Sequence, residues 1–130
     1  MPLVRIDLIE GKSPDYREAI GTVIYEAMLK TLNVPKDDRF QVIAEHSAAD
    51  FIINPIYLGI QRTADCIVIQ VTLSEGRTVE LKQQFYKAVA ESLHERLGLR
   101  REDVLINLVE VKKENWSFGN GIAQYADPPK

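Results

Sequence analysis

Leu8-Ile9-Glu10-Gly11-Lys12-Ser13 and Leu73-Ser74-Glu75-Gly76-Arg77-Thr78 lie 65 positions apart and read as one element written twice. Each closes an apolar run, turns on a glycine and offers a hydroxyl side chain where a helix would start. The same offset holds further along without a gap: Glu26 falls on Glu91, Leu32 on Leu97, Asp38 on Asp103 and Glu45 on Glu110. A fixed period with the apolar pattern in phase marks an internal repeat. The chain is therefore expected to be a single domain over residues 1–130, with pseudo-repeats at about 2–46 and 67–111 and a C-terminal tail at 112–130.

Outward from these turns, each repeat reads strand, helix, strand. Leu3–Leu8 alternates in part at period two, and Cys66–Leu73 is rich in β-branched residues. Ser13 stands as N-cap of the first helix with Pro14 at its first position, where a missing N–H costs nothing. The apolar stripe is Tyr16, Ile20, Val23, Ala27 and Met28, and Asn33 with Pro35 stops the helix. Thr78 caps the second helix, whose stripe is Leu81, Phe85, Ala88, Val89, Leu93 and Leu97, closed by Gly98. Return strands are expected at about Phe40–Glu45 and Val104–Val111. Between the repeats, Ser47–Asp50 reads as a turn and Phe51–Ile53 as a short strand.

A strand, a long helix and a second strand suit a right-handed parallel crossover. Two such βαβ units predict an α/β (α+β) fold: a four-stranded sheet with two helices on one face. The other face is expected to be apolar and exposed, as a surface buried in an oligomer would be.

Composition narrows the function. The 130 residues carry a net charge of −3, with 45% hydrophobic and 27% charged residues, which suits a globular chain. Nucleic acid is not an expected partner, because phosphate binding needs a concentrated basic face. No membrane partner is expected either. The longest mainly apolar run is far too short to span a bilayer, and Arg5, Asp7 and Glu10 interrupt any leader-like stretch. A cytoplasmic location follows. The single Cys66 excludes an intrachain disulfide and reads as a buried, inert thiol. His46 and His94 stand apart, without ligand spacing, so no metal and no cofactor are implied.

The turn Glu75-Gly76-Arg77-Thr78, opening a helix after a β-branched strand, resembles that of 4-oxalocrotonate tautomerase, whose subunit is one short βαβ unit beginning with proline. Here the unit occurs twice, with Pro2 opening the first copy and Ile67 in the matching place of the second. The whole chain is similar to the malonate semialdehyde decarboxylase branch of the tautomerase superfamily. That likeness rests on Pro2-Leu3 with Ile6-Asp7-Leu8, Val34-Pro35 with Asp38-Arg39-Phe40-Gln41, Leu58–Arg62, His94-Glu95-Arg96 and Trp116-Ser117-Phe118-Gly119. It implies a homotrimer acting without a cofactor on a small keto or enol carboxylate. It also implies Pro2, freed by removal of Met1, as acid or base, Arg77 as carboxylate binder and Asp38 as the partner that tunes or hydrates. Trp116 and Phe118 would wall the pocket. Some decarboxylases of the branch have an Arg-x-Arg pair in the turn; this chain has Glu75 in the first place.

An α-amino group titrates near roughly 7.7–8.0, so small shifts decide its state at neutral pH. Burial and the cation Arg77 would lower the pKa and leave a neutral base for tautomerisation, whereas Asp38 would raise it and favour a cation for decarboxylation or hydration. Tautomerisation is the expected reaction, because decarboxylation must hold a carboxylate while the carbonyl is polarised, and Glu75 puts the opposite charge where a second arginine would help with that anion. A trimeric binding protein that kept the fold without the activity is the remaining alternative, since fold does not fix function.

Overall fold

A computed structural model of the chain describes residues 1–126, so the last four residues of the tail, 127–130, lie outside the described residues. Strand β1 (Leu3–Ile9) leads to helix α1 (Pro14–Thr31) and strand β2 (Phe40–His46). A small hairpin, β3 (Ile56–Tyr57) and β4 (Ile60–Gln61), precedes strand β5 (Ile67–Ser74), helix α2 (Val79–Leu97) and strand β6 (Val104–Val111). The main sheet runs β2-β1-β5-β6. Each crossover pair is parallel, and the two units meet antiparallel between β1 and β5. This is the expected mixed fold of two βαβ units.

The two helices begin for the same local reason. Ser13 Oγ accepts from the Tyr16 amide at 3.1 Å and Thr78 Oγ1 from the Leu81 amide at 3.2 Å, each satisfying an otherwise orphan donor of the first turn. The 65-residue offset recurs in the backbone bonding. Glu10 N donates to His46 O and Glu75 N to Val111 O, while Asp38 N donates to Pro35 O and Asp103 N to Arg100 O.

The core lies between helices and sheet. Val4, Ile6 and Leu8 of β1 and Ile67, Ile69, Val71 and Leu73 of β5 are buried against Ile20, Val23, Ile24, Ala27 and Met28 of α1 and Phe85, Val89 and Leu93 of α2. Of the expected stripes, Tyr16, Leu81, Ala88 and Leu97 are half-buried at the margin, and Ile24 joins the core in addition. Cys66 is buried, and that burial pushes its thiol pKa up.

Two expectations change. Phe51–Ile53 forms no strand; it follows a 3-10 turn at Ala48–Asp50, and Phe51 stacks on His46 at 5.8 Å between ring centroids. An apolar β-branched run makes a strand only where a ladder partner is at hand, and Pro55 follows too soon for one. The short strands form instead on either side of Leu58-Gly59, both at positive φ (53° and 74°). That is the geometry of a two-residue hairpin turn whose twist matches its strands. The open face of the sheet is also less apolar than expected. Leu3, Phe40, Val42 and Val109 are exposed there, but Arg5 and Asp7 share the face, and Gln70 donates to Asn107 across the strands at 3.1 Å.

Candidate active site

Strand order brings distant residues to one end of the sheet. Leu3 pairs with Phe40 in parallel register and with Thr72 in antiparallel register, while Ser74 pairs with Val111. The start of β1 therefore lies beside the start of β2 and the end of β5, with the end of β6 one strand further. Pro2, Asp38, Arg77 and the segment after Val111 all fall at that end.

Pro2 is buried, and the terminal amine of Met1 stands 3.9 Å from Asp38 Oδ2. Burial lowers the pKa of that amine below its ordinary value; Asp38 opposes this, and Arg77 and Lys113 add to it. Asp38 is held from behind. The turn closes with its amide on Pro35 O, and the Tyr25 hydroxyl accepts from the neighbouring Asp37 amide at 2.9 Å. Its carboxylate is only 16% exposed, yet Oδ1 is buried with no hydrogen-bond partner among the described residues. An unmatched buried acceptor is costly, so it marks a place where water or a bound molecule belongs.

Arg77 is fixed by two backbone carbonyls: Nε donates to Leu32 O at 3.2 Å and Nη1 to Ser74 O at 2.9 Å. Gly76, at φ 124°, makes the turn that folds the side chain back onto Ser74, in a backbone region open essentially to glycine. No carboxylate pairs with Arg77 among the described residues. A guanidinium has five N–H donors, so its remaining Nη edge is free for a carboxylate in fork geometry.

Trp116 supplies an aromatic wall. Its indole Nε1–H donates to Ser74 Oγ at 3.1 Å, and its ring stacks on Phe118 at 5.5 Å. Phe118 meets Tyr125 edge-on at 4.9 Å, and Gln124 clips the loop by accepting from Phe118 N and donating to Gly119 O. Beside this wall a cleft of about 530 Å³ is lined by Glu75, Lys112, Lys113, Glu114, Tyr125 and Ala126, at the end of the sheet that holds Pro2, Asp38 and Arg77 but not lined by them. Glu75 is exposed rather than enclosed, so solvent screens the charge that was expected to oppose a substrate anion.

The opposite end of the sheet holds the repeat counterparts, and there they are already engaged. Lys12, the counterpart of Arg77, is 2.9 Å from Asp65. Asp103, the counterpart of Asp38, is fully buried and accepts from Thr63 N at 2.7 Å and Thr63 Oγ1 at 2.6 Å. The cavity of about 240 Å³ at that end is lined by Ile9, Phe51 and Arg62 among others and has no amine.

All five residues expected for the site thus lie at one end of the sheet: Pro2, Asp38, Arg77, Trp116 and Phe118. Ser74, Lys113 and Tyr125 join them. Ser74 had no sequence signal, since alternation along β5 places it on the open face with Gln70 and Thr72, and only the structure buries it. Lys113 and Tyr125 had none either. Among the described residues no cluster of three His, Cys, Asp or Glu side chains is arranged to hold a metal ion, and no helix is long and apolar enough to cross a membrane.

Comparison with known proteins agrees with this architecture. Two family profiles, both described as tautomerase enzyme, match residues 38–119 and 2–60. The probable tautomerase YusQ of Bacillus subtilis is 42% identical, over 95% of this chain and 98% of its own length. A crystal structure of FG41 malonate semialdehyde decarboxylase inhibited by 3-bromopropiolate is 39% identical with a TM-score of 0.88, over 95% of this chain and 94% of the other. A fused 4-OT, solved as a symmetric trimer, is 26% identical with a TM-score of 0.77, over 95% and 98% of the two chains. The chain belongs to the tautomerase family.

Proposed function

We propose that the protein is a cofactor-free tautomerase in which the secondary amine of Pro2, exposed when Met1 is removed, moves a proton on a small keto or enol carboxylate. The observation that carries this reading is the burial of Pro2 at the end of the sheet that holds Asp38 and Arg77, where burial, Arg77 and Lys113 lower the pKa of the Met1 amine against the opposing Asp38. The same surroundings act on the Pro2 nitrogen one residue further in. A lowered pKa leaves a neutral base at neutral pH.

In this mechanism the free edge of Arg77 takes the substrate carboxylate, helped by the amides and dipole at the start of α2. Pro2 accepts the enol O–H proton, the O–H electron pair forms the carbonyl, and the π pair of the carbon–carbon double bond takes the proton back from the prolinium as a new C–H bond, leaving a carbon–carbon single bond. Arg77 stabilises the charge of the enolate as it develops. Trp116 and Phe118 exclude water, which strengthens each of these interactions. Asp38 tunes the amine through its Oδ2 and offers Oδ1 to water. The single domain acts as a homotrimer in this reading, as a fused 4-OT of similar fold does, with the exposed Leu3, Phe40, Val42 and Val109 at subunit contacts.

A second reading, decarboxylation or hydration of malonate semialdehyde, is favoured by the exposure of Glu75, which removes the main objection to it. One preparation of Met-free protein, verified by intact mass, decides between them. We expect kcat/KM for an enol–keto substrate such as phenylpyruvate to exceed that for malonate semialdehyde; the reverse order establishes the second reading. Protein that retains Met1 has an amide at Pro2 and should turn over neither.

A further inference from the structure

The side chain and the backbone of Ser74 make two separate attachments at this site. Its carbonyl holds Arg77 Nη1 at 2.9 Å, and its hydroxyl accepts the Trp116 indole N–H at 3.1 Å. Ser74 itself is buried, 6% exposed, at the last position of β5, where pairing with Val111 fixes its backbone. Movement of that one residue would displace both the cation and the aromatic wall.

The repeat shows that this pairing is not a by-product of the fold. The position 65 residues earlier than Ser74 is Ile9, and the position 65 residues before Trp116 is Phe51. Neither the hydroxyl nor the indole N–H exists in the other half, although the strand, turn and helix are the same. The halves diverge chemically at Pro2 and Ile67, Ser74 and Ile9, and Trp116 and Phe51, and the polar or reactive member of each pair lies at the end of the sheet that holds Arg77; at the other end the matching cation, Lys12, is paired with Asp65.

We infer that Ser74 is a positioning residue of the active site, whose hydroxyl holds Trp116 by its indole N–H and so keeps that donor away from substrate. The Trp116 face beside the Arg77 fork is then apolar, while Lys112 and Lys113 line the neighbouring cleft. A flat unsaturated part of the substrate fits against Trp116, because a polar group placed there would find no donor from the indole. The inference rests on the proposed site, but the bond itself can be tested without any turnover.

Trp116 is the only tryptophan of the chain, so intrinsic fluorescence and the indole N–H resonance report on it alone. Ser74→Ala should shift its emission to the red and raise its acrylamide quenching constant about twofold, while Ser74→Thr, which keeps the hydroxyl, restores both. In the same proteins Ser74→Ala should raise KM about three- to tenfold with a smaller change in kcat. Unchanged emission and quenching in folded Ser74→Ala would overturn the inference, as would a purely thermal effect with KM intact. If Ser74→Ala does not fold, hydrogen exchange of the indole N–H in the unaltered protein decides: protection supports the bond, and exchange as fast as free indole removes it. A fluorescence change in protein inactive on every keto acid would keep the bond while discarding the catalytic reading.

Discussion

Asp38 and Asp103 occupy the same place in the two halves, each with its amide closing a turn three residues back, yet their carboxylates are in opposite states. Asp103 is fully buried and satisfied by both donors of Thr63, with Arg100 at 3.7 Å, whereas Asp38 keeps a buried oxygen unmatched. One carboxylate is built into the fold and the other is left available. The linker makes the difference, because Thr63 belongs to the segment that joins the halves.

Asp103→Ala should therefore cost stability without touching the site. The fully buried carboxylate and its two bonds to Thr63 are lost together, and the expected loss is about 2 kcal/mol, read as a lower urea midpoint. Asp38→Asn should leave the midpoint within about 0.5 kcal/mol while lowering kcat/KM about a hundredfold. A large stability loss in Asp38→Asn would assign the two residues the same structural role.

The pH profile follows from the amine. The base works only when neutral, so activity rises as pH passes its pKa and is level above. Burial, Arg77 and Lys113 lower the pKa of the Met1 amine, and the same neighbours should hold the acidic limb of kcat/KM below the ordinary value of a free proline amine. Removing Asp38 takes away the group that raises the pKa and should move the limb further down. Removing Arg77 takes away a group that lowers it and should move the limb up. Activity that instead falls as pH rises through this pKa would mean the amine acts as a cation.

Arg77→Ala should act mainly on binding. Loss of a fork contact to a carboxylate corresponds to about 1.5–3 kcal/mol, or a KM roughly ten- to a hundredfold higher, with kcat changed less. Arg77→Lys should recover less than half of this free energy, since lysine cannot reach two carbonyls and a substrate carboxylate in one plane. Steady-state kinetics on both variants check it. Equal losses in kcat and kcat/KM would place the guanidinium in the transition state alone.

Light scattering at low micromolar concentration should give three times the 14.8 kDa chain mass. Val42→Asp, on the exposed face of β2, should dissociate the assembly by placing a charge in a dry contact. A monodisperse monomer in the unaltered protein would remove the proposed trimer.

The elements themselves were legible in the sequence, for a physical reason. Caps at Ser13 and Thr78, stripes on both helices and the β-branched run at Ile67–Leu73 depend on residues three or four positions apart, or on alternating ones, and such interactions form wherever the chain goes. The repeat added the pairing of each strand with its own return. The resemblance supplied the candidate residues, but not their surroundings. Phe51–Ile53 misled because its composition suits a strand, while Leu58 at positive φ hid the turn that makes the real hairpin.

What only tertiary structure decided is which end of the sheet gathers the candidate site residues. That depends on β1 lying antiparallel to β5, which sets Pro2 beside the turn of the second half rather than its own. The bonds that shape the site span 45 residues from Arg77 to Leu32 and 42 from Trp116 to Ser74. No local pattern encodes contacts at such separation; they exist because the strand order brings their ends together. The exposure of Glu75 and the different states of Asp38 and Asp103 have the same origin. Identical residue types in matching local sequence differ in chemistry when the fold gives one a partner and leaves the other without.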